Sequence, residues 1–82
     1  MATFFVTYDL MKQKDYPKLW DRLQRYYGAK RVLLSVWVLK GHHSARGIRD
    51  DLTNYIDSDD KLLVIESIDW AGLRLMVSPN DM

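Results

Sequence analysis

Arg31-Val32-Leu33-Leu34-Ser35-Val36-Trp37-Val38-Leu39-Lys40 is the stretch on which the fold turns. Val, Leu and Trp dominate it, and these residue types suit a pleated, half-buried surface. The stretch is longer than one ordinary strand of about 5–6 residues, yet no Gly or Pro marks a turn inside it. As one strand it leaves the chain in a β-α-β-α-β order. As a hairpin it gives β-α-β-β-α-β, the split β-α-β arrangement of ferredoxin-like domains. The residues themselves leave both readings open.

The flanking segments are easier to read. Thr3 to Tyr8 is an apolar and aromatic strand that stops on a carboxylate, Asp9. A polar loop, Lys12-Gln13-Lys14-Asp15, follows. Pro17 suits a first helical turn, where its missing N–H costs nothing, and Asp15 just before it suits a cap. Tyr16, Leu19, Trp20, Leu23, Tyr26 and Tyr27 recur at helical spacing, and Gly28 ends that helix in the position glycine favours. Beyond the Gly41-His42-His43 loop, Ser44 is an N-cap for a second helix carrying Ala45, Ile48, Leu52, Tyr55 and Ile56. Gly47 weakens that helix by roughly 1 kcal/mol relative to Ala. Asp57-Ser58-Asp59-Asp60 is a polar turn, and Lys61 to Ser67 is a strand with a Leu-Leu-Val-Ile centre. Leu73, Leu75 and Val77 alternate with polar or flexible residues, which predicts a short final strand.

Faces matter as much as order. Phe4, Val6 and Tyr8 share one face of the first strand, Phe5 has the other, and Leu62 to Ile65 is apolar on both. Two helices cannot cover two faces of one sheet. A homodimer is the expected solution.

Length and composition narrow the class. With 82 residues the chain is one small domain, 1–82, with a small core for its surface. It has no cysteine, so disulfides and thiolate metal sites are excluded. No apolar run reaches a membrane span, and the N-terminus lacks a basic stretch followed by an apolar one. The expectation is a soluble, cytoplasmic protein with no membrane partner. The net charge of +1 hides an asymmetry: residues 1–49 hold ten Lys and Arg against three Asp, and residues 50–82 hold two against eight acidic groups. A basic half hints at an anionic partner, although a solvated surface of mixed sign explains it equally well.

The order and spacing of several short pieces resemble a known family. Tyr8-Asp9-Leu10 closes the first strand, Gly28 follows the helix, Ser35-Val36-Trp37 sits in the middle region, and Asp59-Asp60-Lys61-Leu62-Leu63-Val64 opens the last core strand. Over about residues 3–67 this series is similar to the small CRISPR-associated adaptation proteins of the second Cas family. It is more similar still to their Cas-two-like, SinR-like relatives. The resemblance implies an α+β, ferredoxin-like βαββαβ homodimer packed sheet on sheet, often with an exchanged C-terminal strand. It also implies that the 31–40 stretch is two strands bending near Leu34–Ser35. Asp9 falls on the family's proposed catalytic position. Some members are described as divalent-metal-dependent nucleases and others as non-catalytic bridges holding DNA for an integrase. This chain departs from the pattern after Ser35-Val36, where Phe and an acidic residue are usual and Trp37-Val38 stand here. The basic cluster usual at the start of the first helix is represented only by Lys12, Lys14 and Lys18.

Asp9 is therefore the candidate catalytic and metal-binding residue, with Mg2+ or Mn2+ as the implied ion. Mg2+ commonly takes one or two protein carboxylates and keeps several waters. One Asp per chain suffices if a dimer axis joins two of them. The plainer reading makes Asp9 a turn-former. Lys12, Lys14, Lys18, Arg22, Arg25, Lys30 and Arg31 are the candidate nucleic-acid contacts, since phosphate binding needs only positive charge at suitable spacing. A solvated helix face accounts for the same pattern. His42-His43 lacks a third ligand and reads as a solvated pair. Two functions follow: a Cas-two-like homodimer that binds DNA or RNA, with metal-dependent endonuclease activity at Asp9, or a catalytically inert scaffold or regulator that binds a protein partner such as an integrase.

Overall fold

Strand β1 (Ala2–Asp9) occupies the middle of the sheet because its alternate residues Phe4, Val6 and Tyr8 are all buried. The computed structural model describes residues 2–10 and 16–76. Lys12, Lys14 and Asp15, with the loop they belong to, lie outside the described residues. The element order is β1, α1 (Tyr16–Leu23), β2 (Lys30–Leu33), β3 (Val36–Gly41), α2 (Ala45–Leu52), a 3-10 turn (Thr53–Tyr55) and β4 (Lys61–Ser67). The four strands form one antiparallel sheet in the order β2-β3-β1-β4. This is an α+β architecture compatible with a small ferredoxin-like fold.

The undecided stretch is a hairpin. Leu33 pairs with Val36, leaving Leu34 and Ser35 as the loop. Tight two-residue hairpin loops normally use turns with positive φ, hence Asn-Gly or Gly-Gly. Leu34 and Ser35 have no positive φ. Instead the register slips between Arg31 and Leu33, a bulge at Val32 that adds local twist. The turn is made without the residues that usually announce one.

Both helices lie on one face. Phe4, Val6 and Tyr8 of β1 and Trp37 and Leu39 of β3 pack with Leu19 and Leu23 of α1 and Ile48 and Leu52 of α2. Helix α1 stops four residues before the end of its apolar stripe. Arg25 and Tyr26 donate to carbonyls only three residues back, Arg22 and Leu23, which tightens the turn. Gly28, at φ 65°, then reverses the chain. Ser44 caps α2 as its position predicts: its Oγ accepts from the Gly47 N–H at 3.0 Å.

The opposite face is partly covered by the chain itself. Val38 and Val32 are fully or almost fully buried yet stand outside the helix-side core. The segment after β4 reaches the far edge of the sheet, where the Met76 N–H donates to the Val32 carbonyl at 2.9 Å. Leu73 to Met76 is not a strand, contrary to the alternation in the sequence, and Val77 lies outside the described residues. An alternating pattern is satisfied equally by a turn; Arg74 has φ 54° and breaks any extended run. Leu63 and Ile65 remain exposed on this face.

Candidate functional site

Asp9 is the last residue of β1 and is exposed. Its register partner is Lys61, the first residue of β4. Because residues alternate between faces, Asp9 shares the uncovered face with Thr7 and Phe5, whereas Tyr8 turns into the core. Asp9 has no hydrogen bond or ion pair among the described residues. It borders a shallow groove of about 180 Å3 with Thr7, Lys61 and Leu63. One protomer thus offers one free carboxylate, with an ammonium-bearing residue opposite. That matches a one-carboxylate share of a Mg2+ site; the positive charge of Lys61 works against it.

Tyr8 fixes the end of β1. Its hydroxyl accepts from Trp20 Nε1 at 2.7 Å and from Trp37 Nε1 at 3.2 Å. Three elements are joined at one oxygen, and the buried Trp37 and half-buried Trp20 indole N–H groups find their acceptor there. Trp20 and Trp37 are therefore packing residues. The rigid base of Asp9 is this node.

The basic residues separate into groups. Lys18 and Arg25 are exposed on α1 and the turn after it, and neither has a side-chain partner among the described residues. They share a groove of about 250 Å3 with Asp21, Arg22 and Tyr55. Arg22 is engaged: its Nε donates to Asp51 Oδ2 at 2.8 Å and its terminal nitrogen to Oδ1 at 3.1 Å. It also lies over the Tyr26 and Tyr55 rings. Arg31 stacks on Trp20, 4.9 Å from the ring centre. Lys30 pairs with Val38 and so belongs to the face opposite the helices. Among the described members of the expected basic set, Lys18 and Arg25 have no side-chain partner among the described residues, Arg22 and Arg31 make packing contacts, and Lys30 lies on the face opposite the helices.

Two constellations were not legible in the sequence. The first is a clamp between α1 and α2, in which Asp51 receives Arg22 and the Tyr26 hydroxyl. Burial alone raises the Asp51 pKa, but the Arg22 and Tyr26 hydrogen bonds outweigh it and hold the carboxyl below its ordinary value. Burial first, and then the Asp51 hydrogen bond, push Tyr26 up to about 12. No spacing rule joins residues so far apart in sequence. The second is a cluster of Asp57, Asp59 and Asp60, whose carboxylate oxygens lie within 4.8 Å of one another. Asp60 Oδ2 accepts the Asp57 N–H at 2.7 Å, so the cluster doubles as the turn that launches β4. Asp9 is not part of it. His43 packs its ring edge-on against Tyr26, and neither His42 nor His43 joins a metal-ligating group among the described residues.

Comparison of the chain with family models, with curated proteins and with solved structures finds no match. Among the described residues, no helix is long and apolar enough to cross a membrane.

Proposed function

We propose that this protein is a Cas-two-like, ferredoxin-fold homodimer that binds nucleic acid, with Asp9 as the group for divalent-metal-dependent phosphodiester hydrolysis. The observation that carries this reading is Asp9 itself, an exposed carboxylate without a partner among the described residues, at the end of a central strand, on the face the helices leave open. Two copies packed through that face bury Leu63 and Ile65 and bring two Asp9 side chains toward a common axis. Mg2+ or Mn2+ bound there supplies charge neutralisation at phosphate and an activated water. Lys18 and Arg25 hold the backbone of DNA or RNA by charge alone, without reading sequence. An exchanged C-terminal strand is left out of the proposal, because Met76 is bonded to its own chain's β2.

A second reading has its own observation. Lys61 opposite Asp9, with Arg22 and Arg31 already engaged, favours a catalytically inert adaptor that binds a protein partner, with an integrase-like enzyme as the example. The readings part on one experiment. Nucleic-acid binding that falls steeply between about 50 and 200 mM salt, and weakens in a Lys18→Ala/Arg25→Ala variant, supports the first. Absence of binding at low salt removes it.

A further inference from the structure

The two outer edges of the sheet are unlike. Strand β2 is short, begins with Lys30-Arg31, carries the bulge at Val32, and has its Val32 carbonyl occupied by the Met76 N–H. Short length, basic residues, bulges and cover are how natural sheets prevent edge pairing. Strand β4 is longer and has no bulge against β1, and its one basic residue, Lys61, stands at its first position. Its seven residues run without Gly, Pro or bulge, and its centre, Leu62-Leu63-Val64-Ile65, carries no charge. Leu63 is 55% exposed and Ile65 47%. A regular apolar edge of this kind is a template for another strand.

We propose that the occupant is β4 of a second copy, paired antiparallel with Val64 opposite Val64 on the two-fold axis. Directly opposed residues share a face, so this register extends the sheet with all helices on one side. On the uncovered face it sets Leu63 against Ile65 of the second copy. On the helix face it sets Leu62 against Glu66 of the second copy. Leu62 borders a groove of about 340 Å3 between β4 and α2, lined also by Arg46, Arg49 and Val64. Each Glu66 thereby enters a groove bearing two guanidinium groups, once on each side of the axis. Glu66 and Arg46 have no ion pair among the described residues, and Arg49 meets only its exposed neighbour Asp50. Such an exposed pair yields readily to a better placed carboxylate.

The neighbouring registers are poorer. Centring on Leu63 puts Glu66 opposite Asp60, a like-charge pair. Centring on Ile65 puts Leu63 against Ser67 and withdraws Glu66 from Leu62. The contact uses the edge of β4 and not its uncovered face, so it stands apart from the packing assumed for Asp9.

The full chain tests it with introduced cysteines and a charge exchange. Val64 points to the helix side, so face-to-face packing cannot bring two copies of it together. Under mild oxidation Val64→Cys is expected to form a covalent dimer, at least tenfold faster than a Leu33→Cys control on the guarded β2 edge. Glu66→Arg is expected to weaken self-association, measured by sedimentation, about tenfold. Adding Arg46→Glu and Arg49→Glu to Glu66→Arg is expected to restore it. Equal rates for the two cysteines, or unchanged self-association in Glu66→Arg, overturns the proposal; should Val64→Cys fail to fold, the charge exchange alone decides.

Discussion

At the scale of single residues, Tyr8 is a structural node, and Asp9 beside it is the proposed functional group. Tyr8→Phe removes the acceptor shared by Trp20 and Trp37 and leaves both N–H groups without it. A loss of about 1–3 kcal/mol is expected, read from urea denaturation. Asp9→Ala removes no contact among the described residues, so stability should change by less than about 0.5 kcal/mol. Asp51 and Tyr26 make the fold sensitive at both ends of the pH scale. Asp51 is depressed when folded, so its contribution is present above its unfolded value of about 3.9 and is lost as pH falls through the lower folded value. Tyr26 is raised to about 12, so its contribution is complete below its unfolded value of about 10 and is lost as pH rises toward 12. Melting temperatures at acid pH should therefore fall less steeply in Asp51→Asn than in the parent. Tyr26→Phe should likewise remove the alkaline part of the profile. Unchanged slopes in both variants would contradict the clamp.

At the scale of elements, legibility follows the range of the interaction. The amphipathic stripes of α1 and α2, the Ser44 cap and the Gly28 reversal rest on residues a few positions apart, and local periodicity reveals them. The β2–β3 turn does not. Leu34 and Ser35 turn without positive φ, and the Val32 bulge supplies the twist that Asn-Gly would otherwise give. Helix α1 ends before its apolar spacing does, because Tyr26 and Tyr27 continue that spacing while the backbone has already tightened to reach Gly28. Gly28→Ala must hold a left-handed φ, and about 1 kcal/mol of destabilisation is expected from the same denaturation assay. Asp9 could be found from sequence because a strand end is a local feature. Lys61 opposite it, Arg22 turned to Asp51, and the grooves beside β4 depend on register and packing, which sequence spacing does not carry.

At the scale of the whole molecule, the sheet presents one face to the helices and leaves Leu63, Ile65 and Asp9 on the other. Among the described residues, the segment after β4 meets the β2 side of the sheet, where Met76 bonds to Val32, and Val32 and Val38 are buried. Arg22 meets Asp51 across the two halves of the sequence, while Lys18 and Arg25 have no side-chain partner among the described residues. The most direct measurement incubates single- and double-stranded DNA and RNA with the protein in Mg2+ or Mn2+, beside an Asp9→Ala variant matched in fold and mass. Metal-dependent cleavage by the parent, and loss of cleavage with binding retained in Asp9→Ala, is the expected result. Equal cleavage by both proteins, or neither binding nor cleavage by the parent, would contradict it.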